Sequence, residues 1–92
     1  MSALSDKEIH SRLALVPDWQ IESGELVRTF LFKDFRASLA FVNSVAGLAE
    51  NAGHHPDIDI RYNKVRLALV THDAGGITQK DFDLAAAADK FC

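Results

Sequence analysis

Asp57-Ile58-Asp59-Ile60-Arg61-Tyr62-Asn63-Lys64-Val65-Arg66-Leu67-Ala68-Leu69-Val70-Thr71-His72 is the stretch that decides how this chain folds. From Asp57 to Tyr62 the pattern alternates, with Ile58, Ile60 and Tyr62 on one face and Asp57, Asp59 and Arg61 on the other. From Val65 to His72 it alternates again, with Val65, Leu67 and Leu69 against Arg66, Ala68, Val70 and His72. A period of two is the signature of a strand. Asn63-Lys64 between the two runs suits a tight turn, because Asn tolerates the positive φ such turns require. In that register Tyr62 faces Val65, Ile60 faces Leu67, Ile58 faces Leu69 and, extended outward, His55 faces His72. Facing residues hold their Cβ atoms ~4.5–5.5 Å apart. Pro56 has no N–H to give and ends the ladder before His55, so the expectation is nearness rather than strict pairing.

Upstream of this hairpin, Asp34 is placed to cap a helix from Phe35 to about Asn51. Phe35, Leu39, Val42, Val45, Ala46 and Ala49 recur at spacings of three and four and form its apolar stripe. Gly53 supplies the left-handed residue on which helices commonly end. Before that helix, Trp19–Glu22 and Glu25–Phe32 read as strands joined by Ser23-Gly24, a two-residue hairpin signal. Ile21 then faces Leu26 and Trp19 faces Arg28. The second of these strands is apolar on both faces, Leu26, Phe30 and Phe32 on one and Val27 and Leu31 on the other. A strand covered by helices on one side needs only one such face, so the second points to a contact between subunits. Ser5-Asp6-Lys7-Glu8 has the spacing of a capping box for a short first helix that Pro17 stops near Leu15. Asp73-Ala74-Gly75-Gly76 is a loop, and Thr78 caps a last helix containing Phe82, Ala85, Ala86 and Ala88. The order is α-β-β-α-β-β-α. Hairpins pair antiparallel, so the class is α+β: a four-stranded antiparallel sheet with helices packed on one face.

The chain has 92 residues, which makes residues 1–92 a single domain. Its formal charge is -3 without a long basic run, which speaks against nucleic-acid binding through a phosphate-tracking patch. The single cysteine, Cys92, closes no internal disulfide and belongs to no CxxC pair. The N-terminus lacks the basic start and apolar core of a signal peptide, and no apolar run approaches the ~20 residues of a membrane span. A cytoplasmic location is expected.

Three of the 4 histidines, His54, His55 and His72, fall where the folded hairpin gathers them. Three readings of the cluster fit the residues. They are polar groups on a loop and a strand end; or they hold zinc, which three histidines do with a fourth position left for water; or they perform general acid–base chemistry, since imidazole gains and loses a proton near neutrality. Adjacent histidines seldom aim at one ion, and no HExxH pattern accompanies them. Glu50, on the last turn of the long helix and four residues before His54, is placed to orient an imidazole. Asp81 completes a T-x-x-D pattern with Thr78 and reads first as a helix cap. Trp19 reads first as core or interface. Gly75-Gly76 lacks the rest of a phosphate loop, and no serine sits in a G-x-S-x-G turn.

Glu50, three residues, His54-His55-Pro56, five residues, Tyr62, nine residues, His72, eight residues, Asp81: this spaced pattern resembles the pterin-4a-carbinolamine dehydratases. Phe32-Lys33-Asp34-Phe35, Tyr62-Asn63-Lys64-Val65 and Thr71-His72 resemble the family too, so the similarity runs from about Trp19 to Leu84. It implies the α+β fold already derived. It also implies dehydration of 4a-hydroxytetrahydropterin to quinonoid dihydropterin, with no metal and no cofactor, in recycling the pterin used by aromatic amino-acid hydroxylases. By resemblance, His54 and His72 act as acid or base and His55 holds and polarises the pterin. Glu50 and Asp81 orient the imidazoles, Trp19 lines the site, and Pro56, Tyr62 and Thr71 support it. A homodimer or homotetramer is expected. The alternative is a non-catalytic binding module, since relatives serve as dimerisation cofactors or assembly factors.

Overall fold

The computed structural model describes residues 2–91, so the single cysteine, Cys92, lies outside the described residues. The elements are α1 (Asp6–Leu13), β1 (Gln20–Glu22), β2 (Glu25–Leu31), α2 (Phe35–Ala52), β3 (Asp57–Arg61), β4 (Lys64–Leu69) and α3 (Gln79–Asp89), with a 3-10 turn at His72–Ala74. The strands form one antiparallel sheet in the order β1-β2-β4-β3. Leu26, Phe30, Val65, Leu67 and Leu69 turn one face inward, where they meet Phe41 and Val45 of α2 and Phe82, Ala85 and Ala88 of α3. Ile9 and Leu13 of α1 lie against the same core. This is the expected α+β architecture.

Local signals hold at most element ends. Ser5 and Glu8 close a reciprocal capping box on α1. Asp34 Oδ1 accepts from Ala37 N–H at 2.8 Å. The first hairpin has the expected register, Ile21 facing Leu26, and turns through Ser23 at φ 50 and Gly24 at φ 79. Both central residues have positive φ, as the tight hairpin turn demands. The ladder starts at Gln20, however, so Trp19 does not pair with Arg28.

Three expectations change. In the second hairpin the turn is Tyr62-Asn63, with Arg61 facing Lys64, Ile60 facing Val65 and Ile58 facing Leu67. The ladder is thus slid by two residues, which leaves the same side chains facing inward. The cause is tertiary. Asn63 Nδ2 donates to Phe32 O at 3.0 Å and Phe32 N donates to Asn63 O at 2.8 Å, so Asn63 is pinned to the end of the neighbouring strand. Tyr62 takes the positive φ, 52, in consequence. In α2 the inward stripe is Ser38, Phe41, Val45 and Ala49, while Phe35, Leu39 and Ala46 are exposed. Phe41 had no place in the expected stripe, yet its ring centroid lies 4.5 Å from that of Phe30. On the outer face of β2, Val27 is only 2% exposed, whereas Leu31 is 70% exposed.

Candidate active site

The last turn of α2 begins the site. Gly53 closes the helix in the left-handed conformation (φ 62, ψ 30), and its N–H donates to Ala49 O and Glu50 O. The next N–H, of His54, also donates back to Ala49 O at 3.1 Å. This tight reversal satisfies carbonyls the helix leaves open. It also swings His54 and His55 off the helix axis toward the open end of the β3–β4 hairpin.

β4 ends at Leu69, earlier than its alternating pattern implied. Thr71 and Gly76 then bridge across a closed loop, with Thr71 N donating to Gly76 O at 3.0 Å. His72 opens the 3-10 turn inside this loop, and Gly75 closes it at φ 73. His72 therefore reaches the site through a loop, not through a ladder partner. In the observed register the position across from His55, if the ladder ran on, is Val70 and not His72. Even so, His54, His55 and His72 line one open cleft of about 240 Å³. Gly53, Val70, Thr71, Asp73 and Lys80 complete its wall.

The buried part of the site is a carboxylate network. Asp81 is 0% exposed. Its Oδ1 lies 2.5 Å from His54 Nε2. Its Oδ2 accepts from Thr78 N–H at 2.9 Å and from the Thr71 hydroxyl at 3.0 Å. The Thr78 hydroxyl in turn lies 2.7 Å from that of Thr71. Since Thr71 gives its proton to Asp81, Thr78 donates to Thr71 and accepts from Lys80 N–H. A buried carboxylate is stable only when such donors surround it. One side chain thus caps α3 and holds an imidazole. With Nε2–H given to Asp81, the neutral His54 ring has Nδ1 as its unprotonated nitrogen.

Glu50 holds the other imidazole of the pair. Its Oε2 lies 2.5 Å from His55 Nε2, an exposed contact with side chains 76% and 62% accessible. The carboxylate four residues before His54 therefore serves His55, and Asp81 serves His54. Among the described residues, no group of three or more His, Cys, Asp or Glu side chains is arranged to hold a metal ion.

Thr71 lines the cleft, and Pro56 leads straight from the histidines into β3 without lining it. Trp19 and Tyr62 lie elsewhere in the chain. Trp19 is buried edge-on to Phe30, and its indole N–H donates to Asp89 Oδ1 at 2.8 Å, the atom that also accepts from Arg28. Asp89 is eight residues beyond Asp81 on α3, roughly 12 Å along the axis at ~1.5 Å per residue. Tyr62 sits at the hairpin tip beside Phe35 and Leu39, the far end from the histidines. Lys80, Val70 and Asp73 are cleft residues that the spacing pattern missed. Lys80 adjoins Asp81 in a helix's first turn, the one signal that would have found it.

A family model described as pterin 4 alpha carbinolamine dehydratase matches residues 2–91. A Chloroflexus aurantiacus protein, provisionally named a pterin-4-alpha-carbinolamine dehydratase, is 64% identical over 90 residues, covering 98% of this chain and 97% of its own. An Acidobacterium capsulatum protein with the same provisional name is 61% identical over 87 residues, covering 95% of each chain. A crystal structure described as a transcriptional coactivator/pterin dehydratase from Brucella melitensis is similar with a TM-score of 0.94 at 30% identity over 98% of both chains. A pterin dehydratase-like protein identified as a RuBisCO assembly factor in the alpha-carboxysome is similar with a TM-score of 0.65 at 26% identity, over 79% of this chain and 84% of that one.

Proposed function

The chain belongs to the pterin 4 alpha carbinolamine dehydratase family, and from that premise we propose that it dehydrates 4a-hydroxytetrahydropterin to quinonoid dihydropterin by metal-free acid–base catalysis. The observation that carries this reading is the cleft in which His54, held by buried Asp81, faces the same space as His55 and His72. The reaction removes the C4a hydroxyl as water and forms the C4a–N5 double bond. An acid protonates the leaving hydroxyl, and a base takes the N5 proton, so one water leaves and no electrons are exchanged. His54 and His72 are the acid and base. The unprotonated Nδ1 that Asp81 leaves to His54 suits it to the proton on N5. His55 polarises the pterin, and Glu50 orients its ring.

In this reading the product re-enters a cycle with an aromatic amino-acid hydroxylase, in the cytoplasm, and the working form is a homodimer or homotetramer. Exposed Leu31, Phe35 and Leu39 supply apolar surface for such an assembly. The test is a direct assay of carbinolamine dehydration on the purified protein. His54→Ala and His72→Ala each lower the rate about 10²-fold or more, and near-wild-type rates in both variants sink the assignment.

The second reading is a binding module that assists other proteins, favoured by the likeness to the RuBisCO assembly factor. It places function on the exposed apolar residues rather than in the cleft. A module of that kind keeps its partner when His54 and His55 are replaced, and loses it when Leu31 and Leu39 are.

A further inference from the structure

The loop that carries His72 has no anchor of its own in the core. His72, Asp73 and Gly75 are exposed and Ala74 is half-buried. The turn is held by local bonds, Ala74 N to Thr71 O and Gly75 N to His72 O, both at 3.0 Å. A reacting group on such a loop is only as well placed as the loop's base. That base is the bridge between Thr71 and Gly76, with buried Ile77 directly after it.

The N-terminal arm meets this base from outside. Leu4 N donates to Ile77 O at 2.8 Å. A Cβ on Gly76 would stand 3.0 Å from Ala3 Cβ, so the arm lies as close to the loop backbone as glycine permits. Gly76 has no positive φ, so its missing side chain serves this close approach and not the backbone conformation. Leu4 packs against the core, and Ser5 after it is held by the capping box of α1. A second tie lies just beyond: Arg12 Nε of α1 donates to Gln79 Oε1 at 2.6 Å. The N-terminal unit thus grips the chain at Ile77 and at Gln79, on both sides of Thr78, whose N–H donates to Asp81 Oδ2.

Resting on the dehydratase reading, we propose that Ala3 and Leu4 are positioning residues for His72: the arm is a strap that fixes the base of the loop and thereby the place of the imidazole in the cleft. Neither residue lines the cleft, so the strap acts through the loop and not on the substrate. A misplacement of about 1 Å at a reacting group costs up to about 10²-fold in rate, so even partial release of the strap is read in kcat.

The strap is loosened from each side in turn. Gly76→Ala crowds Ala3 from the loop, and Leu4→Pro removes the N–H given to Ile77. Each variant lowers kcat for carbinolamine dehydration about tenfold, with KM within about twofold of wild type, and shifts the His72 ring signals in ¹H–¹³C spectra. Ala3→Gly makes room for the added methyl. Alone it behaves as wild type, and in the Ala3→Gly/Gly76→Ala double variant it restores both kcat and the His72 signals. A merely structural role would lower Tm and leave kcat of the folded protein and the His72 signals unchanged. Wild-type kcat and unmoved His72 signals in either loosened variant overturn the assignment, and so does a Gly76→Ala loss that Ala3→Gly leaves in place. If the wild-type protein turns over no carbinolamine, the dehydratase reading falls, and the His72 signals alone decide whether the arm sets the loop: moved signals keep the strap, unmoved signals remove it.

Discussion

His54 Nε2 and Asp81 Oδ1 stand 2.5 Å apart, and the other oxygen of the same carboxylate closes the cap of α3. The helix cap and the imidazole clamp are therefore one side chain, and removing it takes away both. Asp81→Ala strands the Thr71 hydroxyl, the Thr78 N–H and the His54 N–H together. A loss of about 2–4 kcal/mol in a denaturant melt is expected. Asp81→Asn keeps most of that stability, because the amide oxygen still accepts from Thr71 and Thr78. Its NH₂ then faces His54 Nε2 and forces the opposite tautomer, with the proton on Nδ1. The dehydration kcat falls about 10²-fold or more, and ¹⁵N chemical shifts of the His54 ring exchange their protonated and unprotonated positions.

Glu50 and His55 form the contrasting pair, both side chains largely in water. Glu50→Gln therefore changes stability by no more than about 0.5 kcal/mol. Its effect is expected in kcat/KM instead, and smaller than that of Asp81→Asn, because an exposed ring is less firmly held to begin with. A Glu50→Gln variant that is slower than Asp81→Asn contradicts this ranking.

Gly53 holds φ 62, and a Cβ there meets nothing within 4 Å. Gly53→Ala therefore suffers only the cost of a left-handed alanine, about 1 kcal/mol. In a domain of this size that lowers Tm by roughly 4–8 °C. A larger loss means that the turn carrying His54 and His55 has rearranged, which the dehydration assay detects.

Trp19 donates to Asp89 and stacks edge-on against Phe30, away from the cleft. Trp19→Phe loses one hydrogen bond and some volume, for about 1–2 kcal/mol, while Arg28 keeps Asp89 paired. The dehydration rate is expected to stay at the wild-type value. Slower carbinolamine dehydration by a Trp19→Phe variant with unchanged Tm would put this residue back at the proposed substrate site.

Glu8 has its carboxyl held below the ordinary carboxylate range, first by the Ser5 backbone N–H and then by the Ser5 hydroxyl. A group whose folded pKa is depressed contributes stability that is present above its unfolded pKa and lost as pH falls through the folded one. The stability gap between wild type and Glu8→Gln is therefore level at neutral pH and shrinks as the solution is acidified below the carboxylate range. A gap that widens on acidification reverses the sign and rules out the capping box as its source.

Much of this protein is written in short-range pattern. Alternation gave the strands, Ser5, Asp34 and Thr78 marked helix starts, Gly53 marked a helix end, and Ser23-Gly24 set a register that the ladder keeps. These signals act over a few residues, so the chain carries them before any tertiary contact exists. The three histidines and the carboxylates Glu50 and Asp81 were legible as a spaced set in the same way, whereas Val70, Asp73 and Lys80 of the cleft were not. What they could not assign were partners. Asn63 slides the second hairpin by two residues because it bonds to Phe32, a strand away. Phe41 rather than Phe35 turns inward because the groove that receives it belongs to β2. Asp81 reads as a cap from Thr78 alone, and becomes the clamp on His54 only when α3 docks beside the end of α2. Each of these decisions joins groups 11 to 31 residues apart or sets a cap to a second use. Sequence periodicity carries no record of such distances, and packing alone resolves them.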